Sequence, residues 1–225
     1  MFFVLIYTVI LTIQQVLGRV DAALVLDYLP ATRHGRATLA RLALVPPVAA
    51  LAWIRPTGEV PMRARLLAAV LAIPLVATFS WTSHAAAMGG TVPLLTDMVH
   101  LGAAVAWGGS LGYLALSSTW GAPDAAAALL GSLRRLSRVG LVSVGLLALT
   151  GGVSALTHLQ DPARFAVSAY GVTLYVKVAL VGVIVAIAAG HRRVLLPALE
   201  GHGATVRLRT AVRVEAGVLV AVLAA

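Results

Sequence analysis

Five side chains with metal-ligand chemistry fall within residues 79–111, FSWTSHAAAMGGTVPLLTDMVHLGAAVAWGGSL: His84, Met88, Asp97, Met98 and His100. Imidazole, thioether and carboxylate all bind metals, and histidine with methionine leans towards copper. Two His plus Met suit Cu(I), an added carboxylate eases Cu(II), and zinc is chemically open as well. Asp97 and His100 are three apart, which puts them on one helical face, and Ala104, Trp107 and Leu111 continue it. A carboxylate one turn from an imidazole serves as a second ligand, or holds the other ring N–H and fixes the tautomer. The ordinary alternative for His100 is a packed ring bonded to a backbone carbonyl. For Met88 and Met98 it is apolar packing.

This stretch joins two apolar runs and contains no Lys or Arg. Gly89-Gly90 allow a sharp backbone turn between them. If the flanking helices are antiparallel neighbours, His84, Met88, Asp97 and His100 converge. Ionisable groups at the membrane edge are costly, which makes them functional candidates.

The setting is a membrane. The chain is 60% hydrophobic and 11% charged, against about 25% charged in soluble domains. Several runs of about 17 to 25 apolar residues are each long enough to cross a hydrocarbon core of about 30 Å. The expected fold class is therefore all-α, a polytopic membrane helical bundle of about seven helices, forming one membrane domain over residues 1–225. The formal charge of +9 comes from arginines at the ends of apolar runs. It reads as topology signal and lipid headgroup contact, not as nucleic-acid binding. The absence of cysteine excludes disulfides, iron–sulfur clusters and thiolate metal sites.

Helices are expected over residues 2–18, 38–54, 64–83, 93–116, 139–156 and 169–189, followed by an apolar run over 214–225. Residues 2–18 lack a basic start and a small-residue cleavage site, so they read as a first membrane helix. Pro46-Pro47 and Pro74 interrupt the second and third helices, which membrane neighbours tolerate. The last run would reach only about 18 Å, so the chain is expected to be incomplete at its C-terminal end.

Arg55, Arg63 and Arg65, then Arg134, Arg135 and Arg138, then Arg192, Arg193, Arg207, Arg209 and Arg213 mark three cytoplasmic connections. The junction holding His84 and His100 then faces outward. One segment disagrees: residues 19–41 should lie outside, yet they hold Arg19, Arg33, Arg36 and Arg41.

Further candidates sit around this frame. His158, followed by Gln160 and Asp161, ends an outward-reaching helix and would join the site from the second half, unless it is an exposed loop residue. Lys177 lies about eight residues into its helix. It either snorkels to the outer interface or forms an intramembrane pair, with Asp97 as the candidate acid. His34 lies beside Arg33 and Arg36, which repel a cation, and His191 and His202 fall in the basic inner connection. Gly108-Gly109, Gly145 and Gly151-Gly152 read as close helix packing, and Trp81 and Trp120 as interfacial belts.

An internal likeness supports the topology. TRHGRATLARLALV from Thr32 matches SAYGVTLYVKVALV from Ser168, aligning Gly35 with Gly171 and Arg41 with Lys177 at an offset of 136 residues. It suggests two parallel four-helix halves, a known transporter plan.

Taken in order, SHAAAMG, TDMVHLGAAVAWGGSLGYLAL, LTGG and SAYGVTLYVKVALVGVIVAIAAGHRRVLLPAL resemble the copper resistance D (CopD) family of bacterial inner-membrane proteins. The most specific parts are Asp97, His100, Trp107 and Gly109, then Tyr170, Gly171, Leu174 and Lys177. The resemblance implies a multi-pass protein, typically of eight helices, that handles copper at the periplasmic face and moves it inward. It implies a periplasmic CopC-type copper carrier as partner, and it carries the family's histidines onto His84 and His100. No fused carrier domain occurs in this sequence.

The reading is a copper transporter of the bacterial cytoplasmic membrane, not an enzyme. A copper ion binds at His84 and His100, with Asp97 as ligand or orienter and Met88 as a weaker candidate. His158, Met98 and Lys177 are accessory candidates. No phosphate-binding loop motif is present, so ATP hydrolysis within this chain does not drive it. The rivals are a membrane b-type haem or quinone-linked electron carrier, which needs facing axial histidines, and a copper-binding assembly factor that does not transport.

Overall fold

The computed structural model describes Gln14 and residues 22–53, 61–116, 126–158, 168–190 and 202–224. The expected helix over 2–18 lies outside the described residues, as do Trp120 and His191. The described residues form eight helices and no strand: α1 (Ala22–Ala31), α2 (Arg33–Trp53), α3 (Met62–Trp81), α4 (His84–Ala87), α5 (Thr91–Leu116), α6 (Ala126–His158), α7 (Ala169–Gly190) and α8 (His202–Ala224). Among the described residues three stretches are long and apolar enough to cross a membrane, Met62–Trp81, Thr91–Leu116 and Gly131–Leu156, with a shorter apolar stretch at Gly171–Ile187. This is an all-helical, multi-pass membrane protein. Leu66, Val70 and Ile73 of α3 and Leu141, Leu149 and Leu156 of α6 are exposed, as apolar side chains are where hydrocarbon is the solvent.

The chain divides into two units, Met1–Gly102 and Ala103–Ala225, with the boundary inside α5. In the first unit, α1 runs almost directly into α2. Thr32 marks the break: its Oγ1 donates to the Tyr28 carbonyl (3.1 Å) and accepts the Gly35 N–H (2.9 Å). Gly35 is buried, and a Cβ there would collide with the backbone of Tyr28 and Leu29. Only glycine lets the start of α2 lie this close to the end of α1.

Helix α2 packs on α3, and the pair is antiparallel. Arg41 touches Thr78. A parallel pair would leave about 42 Å between Trp53 and Met62, more than nine residue steps of about 3.4 Å can span. Pro46 and Pro47 lie inside α2 and Pro74 inside α3, and each helix continues through them.

In the second unit the core is built by Trp107, Leu111, Leu114 and Ala115 of α5, Leu133 of α6, Ile184 of α7, and Val212 and Leu219 of α8. The stripe predicted from residues 97 to 111 is thus a buried face at its Trp107–Leu111 end. Gly108 allows close packing: a Cβ there would sit 3.1 Å from Leu219 Cδ2. The Arg213 Nε donates to the Ala115 carbonyl (3.4 Å), so α5 and α8 are also antiparallel. Gly109, Gly145 and Gly152 have open space beside them, so the small-residue reading is correct for Gly108 and fails for these three.

Three boundaries differ from expectation for one reason, the first being α2, which opens at Arg33 and not at residue 38. Residues 126–138 extend α6 to 33 residues, about 50 Å. This exceeds a bilayer core. Arg134, Arg135 and Arg138 therefore lie on an exposed helical extension, not in a loop. Likewise Arg207, Arg209 and Arg213 belong to α8, which opens at His202. Hydropathy marks where the apolar run begins, whereas Arg is a good helix former and lets the helix start earlier.

Helices α2 and α7 open alike. Ser168 Oγ accepts the Gly171 N–H at 3.0 Å, as Thr32 does for Gly35, and both glycines are buried. Each helix then pairs with the next long helix, α2 with α3 and α7 with α8.

Candidate metal centre

The junction between α3 and α5 begins at the end of α3. Its last carbonyls lack helical donors, and the negative end of the helix dipole gathers there. The chain closes this end tightly. Thr82 N–H bonds to the Phe79 carbonyl and Ser83 N–H to the Ser80 carbonyl, each at 3.1 Å. Ser83 Oγ adds a 2.8 Å bond to the Ser80 carbonyl. Thr82 Oγ1 reaches the carbonyls of Thr78 (3.2 Å) and Phe79 (3.1 Å).

Arg41 completes the closure from α2. Its Nε donates to Thr78 Oγ1 (3.1 Å), and its Nη2 donates to the Thr78 carbonyl and to Thr82 Oγ1, both at 2.7 Å. The guanidinium carbon lies 4.0 Å from the centre of the Phe79 ring. Cation, carbonyls, hydroxyls and ring face are thus matched in charge and direction. Arg41 is therefore not a loose positive charge; its charge is spent on the end of a neighbouring helix. It is one of the four arginines that oppose the charge-bias topology. Arg36 is exposed and donates to the Pro30 carbonyl at 3.3 Å.

The expected helix ended at Ser83, with His84 directly after it; the structure ends α3 at Trp81 and starts the one-turn α4 at His84. The chain then turns through Gly89 (φ 75) and Gly90 (φ 86), a conformation that costs other residues about 1–2 kcal/mol. Thr91 starts α5, with Pro93 in the first turn, where its missing N–H costs nothing.

The predicted site residues fall as follows. Met88 is exposed in the turn before Gly89. Asp97 and Met98 are half-buried and His100 is exposed, all in the first three turns of α5. His84 opens α4 and His158 closes α6; their side chains, like that of His202, lie outside the described residues. Lys177 is half-buried on α7, in the second unit. His34 is exposed on the first turn of α2. Trp81 is 41% exposed, which suits an interfacial side chain. Among the described residues no three His, Cys, Asp or Glu side chains gather as a metal cluster.

Two polar residues matter more than their sequence suggests. Arg41 reads as one of several misplaced charges, and only its partners on α3 give it a role. Glu215 is 5% exposed, on the face of α8 that also carries Val212 and Leu219. The sequence does carry a signal for it: a single acid within VRVEAGVLV, three residues after Val212 and four before Leu219, on the core stripe.

Residues 130–225 match the family model described as Copper resistance protein D. A protein of Pseudomonas syringae pv. tomato named Copper resistance protein D is 33% identical over 176 residues, 75% of this chain. The chain spans 56% of that relative's length. No solved structure matches the chain.

Proposed function

Since this chain belongs to the copper resistance protein D family, we propose that it binds copper on the outward side of the bacterial cytoplasmic membrane and passes the ion inward. Copper is its cargo. His84 and His100 are the principal ligands, Asp97 is a ligand or holds the His100 ring, and Met88 offers a thioether at the rim. A soft thioether beside imidazole favours Cu(I), and the carboxylate extends the site to Cu(II). His158, Met98 and Lys177 are accessory positions. A periplasmic copper carrier of the CopC type is the proposed donor.

The observation that carries this reading is the junction between α3 and α5. A closed helix end, a one-turn helix opened by His84 and two left-handed glycines lead directly into the helix bearing Asp97 and His100. The orientation rests on charge: the α3 start with Arg63 and Arg65, the α6 extension and the α8 start gather arginines at the opposite ends of their helices.

The test is Cu(I) titration of the purified protein beside a His84→Ala/His100→Ala double variant. About one equivalent bound by the wild type and lost in the variant supports the site. Equal binding by both overturns it. A wild type without copper but with a Soret band replaces the reading by the haem carrier. Binding without uptake into vesicles replaces transport by an assembly role.

A further inference from the structure

The last turn of α3 is held from outside itself. Two residues after the hydroxyl that receives Arg41 comes His84, with only Ser83 between them. We propose that Arg41 is the positioning residue of the outward copper site. Its guanidinium locks the end of α3 to α2 and so fixes where the chain departs towards His84 and α4. The proposal rests on the copper reading above.

Three features support it. The lock is directional: Nε and Nη2 reach three acceptors on Thr78 and Thr82, a fork that a single ammonium does not reproduce. The lock is placed on the cap: Thr82 is the residue at which α3 ends, and its own N–H closes the final turn. Carried on past residues 32–45 and 168–181, the internal likeness points to a lock confined to the half that carries the candidate site. The internal offset of 136 residues puts Lys177 where Arg41 stands, but it puts Val214 and Val218 where Thr78 and Thr82 stand. The second half keeps a cation and lacks the hydroxyls that receive it. A general packing device would be expected in both halves. A device for holding one particular turn is expected only where that turn has work to do.

Arg41 acts through the backbone and needs no contact with the ion. Outer partners that orient metal ligands are worth about 10- to 100-fold in affinity. A helix terminus freed of its clamp would let the His84 turn sample several positions, and the ligands would meet the ion less often in the binding arrangement.

The sequence has no cysteine, so two can be introduced for spin labels, at Ala43 on α2 and Ala87 at the end of α4, both exposed. Label separation and Cu(I) affinity are then measured on the full chain for the parent, Arg41→Met, Arg41→Lys and Thr82→Val. The expected result is one narrow distance distribution in the parent and a broad one in Arg41→Met. Copper affinity in that variant falls on the order of tenfold or more. Arg41→Lys recovers part of both. Thr82→Val keeps the charge and removes one acceptor, so it lies between, and it decides the matter if Arg41→Met does not fold. Parent-like distances, or parent-like affinity, in both Arg41→Met and Thr82→Val overturn the role of Arg41. A parent protein that binds no copper overturns the site reading instead.

Discussion

Gly140 of α6 lies against the indole of Trp107 on α5: a Cβ at Gly140 would fall 3.3 Å from Trp107 Nε1. Trp107 is 5% exposed and anchors the core of the second unit, so this contact sets how closely α6 approaches α5. Gly140→Leu is expected to destabilise that unit by about 1–3 kcal/mol through overpacking, and Gly140→Ala by less. Thermal unfolding in detergent checks this, with Gly145→Leu as the control that has open space beside it.

Gly35 carries a sharper demand, because its obstacle is backbone and backbone does not rotate away. Gly35→Ala is expected to pry α1 from α2 and to cost at least about 1–3 kcal/mol. Limited proteolysis should then cut near Thr32 much faster than in the parent. Gly102→Ala, which meets nothing within 4 Å, should leave the digestion pattern unchanged.

How far the sequence could be read depends on the depth of each residue. Apolar runs announced α2, α3, α5 and α7, because hydrocarbon demands long uninterrupted helices. The two positive-φ glycines were legible too, since Gly-Gly between helices has few other uses. Residues 126–138 and 202–213 were not, because arginine-rich helix and arginine-rich loop look alike to hydropathy. The one-turn α4 is too short to leave a period. Arg41 illustrates a different limit. Its charge was visible, but its acceptors are 37 and 41 residues away in sequence, and no local pattern points to them.

Gly89 and Gly90 hold the turn in a conformation that a side chain strains. Gly89→Ala and Gly90→Ala are each expected to cost about 1–2 kcal/mol locally. On the copper reading they also weaken Cu(I) binding, since the turn joins the His84 segment to α5. Titration against Gly109→Ala, a helical glycine with nothing within 4 Å, separates a turn effect from a general one.

His100 is exposed on α5. His100→Ala should abolish copper binding while the protein still folds and inserts. A variant that keeps the parent's copper affinity would remove His100 from the site. Cysteines introduced between Gly89 and Leu94 should react with impermeant maleimide on intact cells. Reaction only after permeabilisation would reverse the orientation.

The prolines of the first unit have a mechanical consequence. Counting from the contact between Arg41 and Thr78, the antiparallel register brings Pro46 and Pro47 level with Pro74. Each proline lacks an N–H, so the carbonyls of Leu42 and Ala43 on α2 and of Val70 on α3 lose their usual donor, on opposite sides of the proline level. Both helices are expected to soften around the proline level, while the arginine clamp holds them together one to two turns away, towards the end of α3. Bending is therefore expected to concentrate at the proline level, with the Arg41–Thr78 end of the hairpin moving as one piece.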